Sequence, residues 1–185
     1  MSRHARPRVL ALDPGLAKCG WAVVELGRYP EDDKPLAGGV IVTDRSEAAE
    51  SKVADTVRRV HELGDELTHI RRQHGPFVAT CAECFSPPRS SIVAGQMGHA
   101  WGVIVEQTRA AAEYLLQCTP QEVKLSTVGT NNASKAEVIA FVTNRWGDAV
   151  GRILSPLKPG LYEHAADALA VQVTCADSDV VHLAR

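Results

Sequence analysis

Asp13 ends a short apolar run, residues 9–12, and is followed by Pro14-Gly15, a pair that forces a tight turn before a second extended run at 19–24. Glu83 ends another compact apolar run, residues 77–82. His164 and Asp167 stand three apart in Glu163-His164-Ala165-Ala166-Asp167-Ala168-Leu169-Ala170, so on a helix both leave one face of the first turn. Alone, Asp-Pro-Gly is ordinary turn chemistry. An Asp inside an alanine-rich helical face is harder to explain by packing, because a desolvated carboxylate is costly unless a cation or hydrogen-bond donors compensate it. Oxygen-rich sets drawn from separate elements hold Mg²⁺ or Mn²⁺, and two such ions can clamp the attacking and leaving oxygens of a phosphodiester. His164 is a softer ligand than Mg²⁺ prefers. It suits Mn²⁺, or a role in positioning or deprotonating the attacking water.

These residues need a scaffold, and the pattern predicts one. The hairpin at 8–24 is followed by a third strand at 36–43 and then a helix ending near Gln73-His74-Gly75-Pro76. Its apolar stripe is Ala49, Val53, Val57, Val60, Leu63, Leu67 and Ile70. A strand, a helix and another strand suggest a crossover that sets the run ending in Glu83 parallel to the run ending in Asp13, with both carboxyl ends on one side. A long helix is expected over 91–118, a strand over 123–128, a helix from Lys135 to Trp146, a loop over 153–160 and a last helix over 162–176. Residues 1–7 read as a basic arm, 8–176 as a single domain and 177–185 as a frayed tail. The fold class expected is α/β, a mixed five-stranded sheet with helices on both faces.

The chain has 185 residues, 45% apolar and 23% charged, enough for one sizeable core. A net charge of −2 argues against a histone-like binder but not against a local basic surface. Arg89, Lys124 and Lys135 are among the candidates for it. Five cysteines, an odd number, include Cys81 and Cys84 in C-x-x-C with no second pair at zinc spacing, so buried thiols in a reducing compartment are expected. No run reaches the length of a membrane span, and the basic start lacks a signal peptide's apolar stretch, which points to a cytoplasmic protein.

Asp-Pro-Gly-Leu-x-x-x-Gly-Trp at 13–21, Ala-Glu at 82–83 and His-Ala-Ala-Asp-Ala at 164–168, with Pro120-x-x-Val-Lys and Ala133-Ser134-Lys135 between them, resemble the RuvC family of Holliday junction resolvases. The resemblance implies an RNase H-like fold and a homodimer that makes paired, Mg²⁺-dependent nicks (Mn²⁺ being the alternative) in a four-way DNA junction, often with a branch-migration motor as partner. It implies that Asp13, Glu83 and Asp167 are metal ligands, that His164 stands at a position held by Asp or His, and that Lys124 and Lys135 approach the DNA backbone. The small residues Ala94, Gly95, Gly98 and Ala100, up to Trp101, resemble its dimerisation helix. Phe85 stands one residue out of register with a phenylalanine that stacks into the junction in the family, and the loop after Glu83 is shorter. As a residue, Phe85 fits either the core or a wedge beside Ser86-Pro87-Pro88. Rival readings are an RNase H-like nuclease acting on flaps, branched DNA or RNA–DNA hybrids, and a non-catalytic junction binder. An actin-like kinase would need a second phosphate hairpin and about twice the length.

Overall fold

The computed structural model describes residues 6–84 and 90–185. Its centre is β1 (Arg8–Asp13), with the antiparallel strands β2 (Lys18–Glu25) and β3 (Lys34–Val42) on one side. On the other side lie β4 (Ala79–Glu83) and β5 (Tyr114–Cys118), both parallel to β1 in direction, giving the order β3-β2-β1-β4-β5. The expected mixed five-stranded sheet is present. Side chains alternate across it. Leu10, Leu12 and Val23 face α1 (Lys52–His74) and α2 (Ser91–Ala110), while Val9, Ala11, Ala22 and Val24 face the opposite helical layer. That layer holds α3 (Pro120–Val128), α4 (Lys135–Trp146), α5 (Asp148–Leu154), α6 (Tyr162–Cys175) and α7 (Asp179–Ala184). No helix among the described residues is long and apolar enough to cross a membrane.

The fifth strand is not where the sequence pattern suggested. The helix expected over 91–118 stops at Ala110, and Ala112 takes a left-handed φ of 55°, so that the chain reverses and Tyr114–Cys118 joins the sheet. No glycine or proline marks that reversal. It is held by Glu113, which pairs with Arg71 of α1 at 2.6 Å and accepts from Thr80 Oγ1 of β4 at 2.7 Å. The strand expected over 123–128 is helix α3 instead. Thr119 and Glu122 form a reciprocal capping box with Pro120 in the first turn, a start signal that outweighs the strand-like pattern of Val123, Leu125 and Val128 after it.

Three smaller expectations also change. Val53 and Val57 are 74% and 50% exposed, because the buried stripe of α1 runs instead through Asp55, Arg59, Leu63, Leu67 and Ile70. Part of the loop expected over 153–160 is occupied by the end of α5. The tail is not frayed: α7 packs Val181 into the core, and Arg185 makes two bonds to the buried Asp33, at 2.6 and 2.9 Å. Asp33 also accepts from Gly27 N and Gln172 Nε2, both at 2.8 Å. A buried carboxylate needs such compensation, and here Arg185 supplies the charge.

Candidate active site

Asp13 is in phase with Val9 and Ala11, and Glu83 with Ala79 and Cys81, so both carboxylates leave the sheet on the face that α6 covers. Leu12 pairs with Ala82 across the parallel strands, which puts the next residues, Asp13 and Glu83, side by side at the carboxyl ends. Over them lies α6, whose Ala165, Ala166, Ala168 and Ala170 are fully buried. Small side chains bring its backbone onto the sheet. Gly20, directly opposite Asp13 in β2, makes this contact possible, since a Cβ there would lie 1.9 Å from the carbonyl oxygen of His164. A glycine inside a strand is the sequence signal for such an approach, and it passes unnoticed beside the louder Asp-Pro-Gly.

His164 Nδ1 lies 3.0 Å from Asp13 Oδ2, across 151 residues of chain. As a donor there, the imidazole leaves Nε2 facing Glu163, 3.7 Å away. Burial, then the charges of Asp13 and Asp167, push the Glu83 carboxyl up to about 8, with Lys124 opposing them. Asp167 is raised to about 7 by burial and then by Asp13, with Lys135 and His164 opposing. The four residues predicted from sequence therefore share one electrostatic site at the junction of β1, β4 and α6. Among the described residues, no three His, Cys, Asp or Glu side chains are gathered tightly enough to hold an ion as they stand. The donor chemistry nonetheless fits a divalent cation: the partly buried carboxylates destabilise each other's charge, added positive charge relieves that repulsion, and the His164 imidazole stands beside them as a nitrogen donor.

Lys124 projects from α3 rather than from a strand, close enough to Glu83 to oppose its protonation. Lys135, the first residue of α4, is bonded to Glu163, which raises the lysine's pKa and lowers the glutamate's. Glu163 is thus a member of the site that sequence reasoning missed, although it adjoins His164. Phe85 and Arg89 lie outside the described residues. The five cysteines are free thiols, four of them buried.

A family model described as crossover junction endodeoxyribonuclease RuvC matches residues 9–175. The chain is similar to the crossover junction endodeoxyribonuclease RuvC of Sorangium cellulosum, 32% identical over 167 residues, which is 90% of this chain and 83% of that protein. Its likeness to the protein of that name from Mycobacterium leprae is 32% over 166 residues, covering 90% and 79%. In fold it resembles T. thermophilus RuvC solved in complex with Holliday junction substrate, with a TM-score of 0.74 at 24% identity over 92% of this chain and 93% of that one.

Proposed function

This chain belongs to the RuvC family of crossover junction endodeoxyribonucleases, and from that membership we propose that it resolves four-way DNA junctions by paired, symmetric nicks at the site just described. It is a structure-specific endonuclease of a divalent-metal-dependent family. The observation that carries the reading is the convergence of Asp13, Glu83 and Asp167 with His164 where two parallel strands end under one helix. Asp13, Glu83, His164 and Asp167 are the residues to hold two Mg²⁺, with Mn²⁺ the alternative that the imidazole would favour. When bound, the ions supply the charge that stabilises the attacking and leaving oxygens of an in-line displacement.

The chain's own residues supply the rest. Asp13 orients the His164 ring through Nδ1 and leaves the Nε2 lone pair free, either to ligate an ion or, as the alternative role, to position the attacking water or take its proton. Lys124 beside Glu83 and Lys135 at the rim offer cations to backbone phosphates. Glu163, in the first turn of α6, holds the Lys135 ammonium by an ion pair. The family's dimer, with one site for each of two strands, is proposed here through α2. On that helix Gly95, Gly98 and Gly102 have open space where a Cβ would stand, and Ile92 and Val93 are exposed. A branch-migration motor is the partner that the family reading adds.

The test is purified protein with a synthetic four-way junction, a flap and a linear duplex, with and without Mg²⁺. Symmetric metal-dependent nicks in the junction are expected, lost in Asp13→Asn with junction affinity retained. Equal cutting of flap and junction, or turnover by Asp13→Asn, would overturn the reading.

A further inference from the structure

A second cluster of charge lies outside the cutting site. Between the β3–α1 connection and the start of α2 is a cleft of about 630 Å³, whose lining includes Arg45, Lys52, Asp55, Arg59 and Gln96. Arg59 is 3% exposed. Its Nε donates to Thr43 O at 2.9 Å and to Thr43 Oγ1 at 3.1 Å, and among the described residues neither terminal nitrogen has a hydrogen bond or ion pair. Asp55 is near enough for its charge to feel Arg59 but makes no bond to it, and a buried guanidinium whose terminal N–H groups go unpaired is costly. Asp55, on the same cleft, is already engaged: it accepts from Arg58 at 2.7 Å and from Ser46 N at 3.1 Å. Glu47 is exposed at the edge. The N-terminus of the 23-residue helix α1 opens into the cleft as well, adding the positive end of its dipole.

The cleft adjoins the cutting site in two ways. Gln96 lines both it and a smaller cleft of about 220 Å³ bounded by Lys18, Met97 and His164. Thr43, which Arg59 grips, donates through Oγ1 to Leu16 O and through its amide to Ala17 O at 3.1 Å, in the turn that follows Asp13. The arginine therefore braces the turn with its Nε and keeps its terminal N–H groups for a ligand.

We propose that this cleft is a phosphate pocket for the DNA strand being cut, in which Arg59 donates its terminal N–H groups to a backbone phosphodiester beyond the scissile one. The proposal rests on the nuclease reading above. Arg45 and Lys52, both exposed on its lining, draw the strand in, and the planar fork of Arg59 fixes its register. A free phosphate ion would satisfy the same groups, so the test separates the two.

In the first arm, DNA-free protein is melted in inorganic phosphate against chloride at equal ionic strength. The wild type gains more from phosphate than Arg59→Lys or the double variant Arg45→Ala/Lys52→Ala, which leaves the buried network intact. In the second arm, junctions carry one neutral methylphosphonate linkage at successive positions of the cut strand. One position away from the cut weakens binding by the wild type roughly threefold to tenfold, and the same linkage costs the double variant less and Arg59→Lys least. A phosphate response without a sensitive linkage would make the ligand a free ion and overturn the proposal. No difference between wild type and variants in either arm would overturn it too. If the wild type binds no junction at all, the nuclease reading falls, while the first arm still decides whether the cleft takes phosphate.

Discussion

Replacing Glu83 with glutamine should destroy the nuclease and, in metal-free solution, make the fold stronger. In the folded protein without metal, Glu83 keeps its proton up to about 8 against an ordinary value of 4.5, because burial, Asp13 and Asp167 all oppose its charge. Unfolded, it loses that proton near the ordinary value. Between the two, the folded state holds the extra proton, so stability falls as pH rises through that window and the loss is complete above it. At about 1.4 kcal/mol per tenfold change, the displacement corresponds to an upper bound on the order of 4–5 kcal/mol. Its neighbours Asp13 and Asp167 share the repulsion, so a gain of roughly 2–3 kcal/mol is expected for the variant at pH 8.5. In a chain of this size that is about 5–10 °C in melting temperature. The assay is urea unfolding in chelator at pH 5, 7 and 8.5, for wild type and Glu83→Gln. The gain should be greatest at pH 8.5 and fade towards pH 5, where both side chains are neutral. Millimolar Mg²⁺ should restore much of the wild type's deficit at pH 8.5 and do little for the variant. A variant no more stable than wild type at pH 8.5, or one whose gain is the same at pH 5, would refute electrostatic frustration at this carboxylate.

Gly20→Ala should lose both stability and cleavage, by about 2–4 kcal/mol in urea unfolding, since its Cβ would meet the His164 carbonyl and push α6 off the sheet. Arg185→Ala, which strands the buried Asp33, should cost about 3–5 kcal/mol while leaving the metal dependence of cleavage unchanged; a loss below about 1 kcal/mol would mean that α7 is dispensable. Lys135→Ala should weaken binding to all junction sequences alike and lower the salt slope by about one, measured by titration at several salt concentrations. Sedimentation should find a dimer at micromolar concentration, and Gly98→Arg on the open face of α2 should yield a monomer that still folds.

The candidate site residues were legible because their placement depends on residue type at element ends. Two apolar runs ending in carboxylates, and an Asp set in an alanine-rich helix, mark Asp13, Glu83 and Asp167 without any coordinates. The parallel setting of β4 against β1 was legible in the same way, through the crossover between them, whereas the fifth strand was not. Less was legible where local signals compete. Residues 111–118 carry helical periodicity, yet the pairing of Arg71 with Glu113 and a left-handed Ala112 turn them into an edge strand. The next segment had the opposite fate: a stretch of strand-like length over 123–128 became part of α3 because Thr119, Pro120 and Glu122 start a helix.

What only the tertiary structure decided is which charges meet. The 151-position separation of Asp13 and His164 leaves their contact undetermined until α6 settles against Gly20. The partnership of Lys135 with Glu163, the burial of Arg59 beneath an open cleft and the capture of Arg185 by Asp33 likewise join elements far apart in the chain. Local sequence sets what each segment prefers. Burial decides which charges must find partners, and burial exists only once the layers have packed.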